Sequence, residues 1–194
     1  MEVLGYNEIF EYGSADPMQD QAIVAILDGI RWLQEPPVWP DDATRSWLTE
    51  RGSMTQRLEK HCGKIRVRRY REGFVTACIE AWEAALLPDC GRFWLREVVL
   101  YGHDRPWLTA RTLVPAAAEA GPAQQVLSLG DVPLGQWLFR HRPPARDVIQ
   151  FGRVGTLWAR RARLRLTEGQ PLLLTEAFLP DCPLYISGGD APQQ

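Results

Sequence analysis

The chain reads as an α+β domain: an antiparallel sheet of about six strands, with helical flaps over a buried ligand site. Three observations predict this class. Two strongly apolar runs, residues 92–101 (RFWLREVVLY) and 171–180 (PLLLTEAFLP), alternate with the period of a strand. Short turn strings, GHDRP after the first run and TEGQ before the second, join such runs into hairpins. Helical patterning is confined to the early part of the chain and to one insertion between strands.

Taken in order, residues 1–17 are weakly patterned and carry Gly5, Gly13 and Pro17, which reads as a poorly ordered extension. Ile23, Ile26, Leu27 and Ile30 recur at helical spacing within residues 20–33, and Glu35-Pro36-Pro37 breaks the pattern. Asp41 or Asp42 caps a short helix that ends at Leu48, with Trp47 and Leu48 inward. Ser53 and Gln56 have capping-box spacing, so Met54 opens a helix that Gly63 closes. The amides of such a first turn lack intrahelical acceptors and can receive a carboxylate, although an ordinary capped helix has the same signature.

Residues 64–74 alternate as a strand whose Arg66, Arg68, Arg69 and Arg71 read as a solvated face. A short helix is expected over 79–87 before Pro88. Residues 92–101 and 107–114 form the arms of one hairpin. From 116 to 140, short helical pieces are interrupted by Gly121, Gly130 and Pro133, and this insertion is read as a lid over one sheet face or as simple packing cover. Residues 147–152 and 156–166 are strands, and a hairpin leads into 172–179. The Gly-, Pro- and Gln-rich tail after Tyr185 is expected to fray. The domain boundaries are therefore an N-terminal extension over 1–29, one domain over 30–186 and a tail over 187–194.

With 194 residues, 45% hydrophobic and 24% charged, the chain has the composition of an ordinary globular protein. A net charge of −2 argues against a general nucleic-acid binder, and no apolar run approaches a membrane span. The N-terminus lacks the basic region and apolar core of a secretory signal. Cys62, Cys78, Cys90 and Cys182 form no CxxC pair and no metal-ligand cluster with His61, His103 or His141, so they read as free thiols in a reducing cytoplasm. Eight tryptophans imply large aromatic anchors in the core or around a pocket.

The chemistry concentrates in the two apolar runs. Alternation places Arg96 between Trp94 and Val98 on one face, and Glu176 between Leu174 and Phe178. A charge in an apolar stripe costs several kcal/mol unless it is paired or bound. The pattern leaves two readings open. One is an internal Arg96–Glu176 salt bridge. The other is a pocket in which the arginine holds an anionic ligand and the glutamate does acid–base or hydrogen-bonding work. Trp94 and Phe178 are then candidates for pocket wall or nearby core.

The strings SMTQRLEKH, YREGF, RFWLREVVL, PWLTARTLVP, PLGQWLF, LWARRARLRL and LLLTEAFLPDCPLY, in this order, resemble the bacterial chorismate–pyruvate lyase family over roughly residues 30–185. The resemblance implies a monomeric, cytoplasmic, cofactor-free enzyme that binds no metal, nucleic acid or membrane. It implies cleavage of chorismate into 4-hydroxybenzoate and pyruvate, supplying the ubiquinone head group. It places the family's essential arginine at Arg96 and its glutamate at Glu176. Met54 and Leu134 are implied as backbone contacts to the substrate. A second reading is a non-catalytic small-ligand sensing domain. The fold also resembles the effector domain of a large class of bacterial regulators, but the stretch ahead of Ser53 lacks a basic recognition helix. A third is a related lyase giving another hydroxybenzoate.

Overall fold

A computed structural model describes residues 17–76, 81–88, 90–116, 125–140, 143–166 and 169–186. Its framework is a seven-stranded antiparallel sheet with strands β1 (Arg31–Trp32), β2 (Arg66–Val75), β3 (Phe93–Gly102), β4 (Arg105–Pro115), β5 (Ala145–Val154), β6 (Leu157–Arg165) and β7 (Pro171–Phe178). The order across the sheet is β1-β5-β6-β7-β4-β3-β2, so β7 is central and β2 is an edge. The strand beyond the six expected is β1, a two-residue piece paired with β5 through Arg31↔Arg153 and Trp32↔Gly152. Gly152 makes that pairing possible, because a Cβ there would lie 2.7 Å from Ile30 and 2.9 Å from both the Arg31 carbonyl and the Trp32 ring. Two residues are too few to show alternation, which is why the pattern does not reveal β1.

The GHDRP string closes the β3–β4 hairpin. His103 and Asp104 have φ of 49° and 62°, the paired positive values of a type I′ turn. On edge strand β2, Arg66, Arg68 and Arg69 pair with Asp104, Asp20 and Asp131. Charges along an edge also discourage pairing with another chain.

Odd-numbered residues of the central strands face one side. There α1 (Pro17–Ala25) and a 3-10 turn (Ile26–Gly29) bury Ile23, Val24 and Leu27 against Val99, Tyr101, Ala159 and Ala177. Asp20 accepts a 2.6 Å bond from the Tyr101 hydroxyl. Burial, reinforced by that carboxylate, pushes the Tyr101 phenol up to about 12. Residues 17–29, placed ahead of the domain by sequence, thus pack on the sheet, and the helix ends earlier than 33 because Arg31 and Trp32 join β1. Residues 1–16 and 187–194, the expected extension and tail, lie outside the described residues.

Even-numbered residues face the other side, which is covered by α2 (Asp42–Leu48), α3 (Met54–Cys62), α5 (Leu134–Leu138) and α6 (Pro183–Ile186). Asp41 caps α2 by accepting from the Thr44 amide, and Ser53 caps α3 by accepting from the Gln56 amide at 3.3 Å. Trp47, Leu48, Met54 and Leu58 pack there against Val98, Leu108 and Phe178. The helix expected over 79–87 is described as α4 (Ala81–Ala84), and residues 117–124 of the expected insertion lie outside the described residues. Cys62, Cys90 and Cys182 are free thiols, and Cys78 is not among the described residues.

Candidate active site

The even face of β3, β4, β6 and β7 is the floor of a cavity roofed by the starts of α3 and α5. It opens to solvent, and the empty space within it and at its mouth totals about 540 Å³. Met54, Arg96, Leu134 and Glu176 all line it, so the four positions singled out in the sequence are brought together. Its walls are otherwise largely aliphatic, including Val67, Val98, Leu100, Leu108 and Leu174.

The pairing register sets the spacing. Arg96 of β3 lies opposite Thr112 of β4, which lies opposite Leu174 of β7. Glu176 is two residues further along. Two strand spacings and one two-residue offset put the Arg96 and Glu176 Cα atoms about 12 Å apart. Each has its own partner. Arg96, only 1% exposed, donates through Nη2 to the carbonyls of Gly130 (2.8 Å) and Val132 (3.0 Å), and its Nη1 lies 3.5 Å from Glu72 Oε1. Burial pushes its guanidinium below the ordinary arginine value, and Glu72 opposes that shift. Glu176 accepts a 2.6 Å bond through Oε2 from Arg160 Nε. An internal Arg96–Glu176 salt bridge, one of the two sequence readings, is therefore not what forms. Strand order places Arg160 of β6 directly opposite Glu176, whereas β4 separates Glu176 from Arg96.

Arg160 is fully buried. Its Nη1 donates to the carbonyls of Leu48, the last residue of α2, and Glu50, just past it, at 3.3 and 3.0 Å. Arg146 reaches the same corner, donating to the Glu50 carbonyl at 2.6 Å and the Gly52 carbonyl at 3.2 Å. Together they hold the segment that leads into the Ser53 cap and the Met54 turn. Neither arginine was singled out from sequence. The signal for Arg160 was present: alternation puts it in one stripe with Trp158, Ala162 and Leu164, the same anomaly that marks Arg96. Arg146 sits in no apolar stripe. Trp94 and Phe178 do not line the cavity. Phe178 belongs to the core beneath Arg160, and Trp94 packs edge-on against Phe74.

The two roofing helices meet at Gly135. A Cβ there would fall 2.7 Å from Thr55 Oγ1 and 2.8 Å from Ser53 Oγ. Glycine thus lets the starts of α3 and α5 touch, and Gln136 fastens them by donating to Glu59 at 2.9 Å. The first amides of both helices lack intrahelical acceptors, and both first turns border the cavity.

A largely apolar cavity lined by three guanidinium groups, one carboxylate and two helix starts has the chemistry to hold a small organic anion. The family model for chorismate lyase matches residues 26–188. A chorismate pyruvate-lyase of Serratia proteamaculans is 49% identical over 171 residues, covering 87% of this chain and 97% of that protein. Another, of Pectobacterium atrosepticum, is 48% identical over 173 residues, covering 89% and 97%. The chain belongs to the chorismate lyase family. Among solved structures, PhnF from Mycobacterium smegmatis has a TM-score of 0.50 at 14% identity, covering 84% of this chain and 79% of that one; this likeness concerns the fold alone.

Proposed function

We propose that the cavity holds chorismate and that the protein splits it into 4-hydroxybenzoate and pyruvate. One observation carries this reading: a buried arginine and a buried glutamate, separately anchored, line one apolar cavity from positions whose Cα atoms lie about 12 Å apart. Chorismate is a dianion, with one carboxylate on the ring and one on an enol-ether arm. Breaking the ring carbon–oxygen bond releases the arm with the electron pair. The neighbouring ring carbon loses its hydrogen as a proton, the ring becomes aromatic, and the arm gains a proton to end as pyruvate. Aromatisation drives the reaction, so the protein needs to position and stabilise charge more than to supply reactive groups.

Arg96 would exchange its loop carbonyls for the ring carboxylate in a two-donor contact, joined by amides at Met54 and Leu134. Glu176, with Oε2 held by Arg160, would turn Oε1 to the ring hydroxyl. The reading extends to a cytoplasmic monomer supplying 4-hydroxybenzoate for the ubiquinone head group. The unpaired described cysteines fit a reducing compartment.

The test is incubation of the purified protein with chorismate, with ultraviolet detection and identification of the aromatic product. 4-Hydroxybenzoate and pyruvate in equal amounts are expected. Binding without turnover would replace the enzyme by a sensing module, and a different hydroxybenzoate would replace the product assignment.

A further inference from the structure

The Glu176 end of the cavity carries more positive charge than its own groups balance. Arg146 and Arg160 both line it and share the Glu50 carbonyl as an acceptor, while Glu176 is the single carboxylate among the lining residues. The nearby Glu50 side chain is engaged by Arg57 at 3.1 Å. Each arginine also keeps one buried N–H with no acceptor, Nη2 on Arg160 and Nε on Arg146. A buried donor without a partner costs about 1–3 kcal/mol. Burial and the neighbouring Arg160 both push the Arg146 guanidinium below its ordinary value, with Glu176 and, more weakly, Glu50 opposing them. These are the conditions of a pair of cations assembled for an anion beyond Glu176.

We propose that Arg146 and Arg160 form a second carboxylate subsite, which takes the carboxylate of the three-carbon arm that leaves as pyruvate. This rests on the chorismate reading above. The two ends of the cavity then match the two ends of the substrate, Arg96 for the ring carboxylate and the Arg146–Arg160 pair for the arm. The subsite also acts during the reaction. As the carbon–oxygen bond breaks, its electron pair moves onto the arm oxygen, and two adjacent guanidinium groups stabilise that growing charge. 4-Hydroxybenzoate has no arm and leaves the subsite unused, whereas chorismate uses both.

The subsite is tested by comparing chorismate turnover with 4-hydroxybenzoate binding in Arg146→Gln and Arg146→Lys. The glutamine variant should lose kcat/KM for chorismate by about thirtyfold or more, the range of one charge-assisted contact. Its dissociation constant for 4-hydroxybenzoate should stay within about threefold of the parent's. Lysine should restore part of the turnover. Chorismate methylated at the arm carboxylate should be a poor substrate of the parent and lose little further in Arg146→Gln. Equal loss of turnover and product binding would reduce Arg146 to a brace for the Met54 turn. Unchanged turnover, or an arm ester processed as well as chorismate by the parent, would also overturn the subsite. Failure of the underlying reading is distinguishable, because the unmutated protein would then release no 4-hydroxybenzoate.

Discussion

Gly135→Ala sets two elementary expectations against each other. Replacing a helical glycine by alanine ordinarily stabilises a helix by about 0.8–1 kcal/mol. Here the added methyl would sit 2.7 Å from Thr55 Oγ1 and 2.8 Å from Ser53 Oγ, with Thr55 Cβ at 3.3 Å. The first contact falls about 0.7 Å short of an ordinary one. Rotating Ser53 away relieves one clash but gives up its bond to the Gln56 amide, a cap worth about 1 kcal/mol. Moving α5 instead separates the two helix starts that roof the cavity. Overpacking of this kind costs about 1–3 kcal/mol and outweighs the propensity gain. The expected net loss of up to roughly 2 kcal/mol corresponds to a fall in Tm of up to roughly 8 °C for a chain of this size. Because the first-turn amides at Met54 and Leu134 shift with the roof, kcat/KM for chorismate should drop by about tenfold or more. Thermal unfolding followed by fluorescence and turnover followed by ultraviolet absorbance read both effects, and Thr55→Ala in the same background should restore part of the stability. A variant as stable and as active as the parent would show that the two helices do not rely on close approach.

Three further outcomes are expected. Arg96→Ala should cost about 2–4 kcal/mol of transition-state stabilisation, read as a loss of roughly 30- to 1000-fold in kcat/KM; a folded variant with full turnover would remove Arg96 from the site. Glu176→Gln keeps an acceptor for Arg160 Nε, so product affinity measured by calorimetry should largely persist while kcat falls; retention of both would leave the glutamate a structural role. Stability should decline above pH 9. Burial holds the Cys182 thiol up at about 12 against an ordinary 9.0, and the Tyr101 phenol up at about 12 against 10.0. In both cases the unfolded chain releases its proton first, so stability is fully present below the unfolded value and is lost as pH rises toward the folded one. Urea titrations at pH 8 and pH 10 should show the decline, and Cys182→Ala should remove the larger share of the part that arises between pH 9 and 10; the rest comes from Tyr101 and Tyr185, whose phenols are both pushed up by burial.

The strands that carry Arg96 and Glu176 were legible because burial on both faces makes them apolar runs, against which a charge is conspicuous. The caps at Asp41 and Ser53 were legible for a local reason, since the capping oxygen and its amide are three residues apart in the chain. The partners were not legible. The contact between Glu176 and Arg160 depends on β6 lying beside β7, and alternation within a strand says nothing about which strand is its neighbour. The bonds from Arg96 to the Gly130 and Val132 carbonyls join a strand to a loop more than thirty residues away, through backbone groups that every residue possesses. The meeting of α3 and α5 was hidden similarly, because Gly135 shows its meaning only beside Thr55 and Ser53.

A buried charge in an apolar stripe is a sensitive signal for a site but not a selective one, as the opposite face of the same sheet demonstrates. Arg111 is largely covered there, its side chain 11% exposed, yet Glu97 at 2.7 Å and Asp28 at 2.6 Å match it; burial opposes its charge, and those carboxylates raise it above the ordinary arginine value. Arg161 is buried too, and its Nη1 has no acceptor. Its guanidinium lies between the rings of Trp32 and Trp82 at 4.2 and 4.1 Å, and burial pushes it down to about 10. An unmatched N–H is therefore not sufficient either, since aromatic faces can cover a cation with no room left for a ligand. Arg96, Arg146 and Arg160 differ from these in one respect: all three border open volume that also contains the Glu176 carboxylate and two helix starts. The even face is the better candidate for the chemistry because excess positive charge and open volume coincide there, whereas the odd face uses the same residue types to close its core.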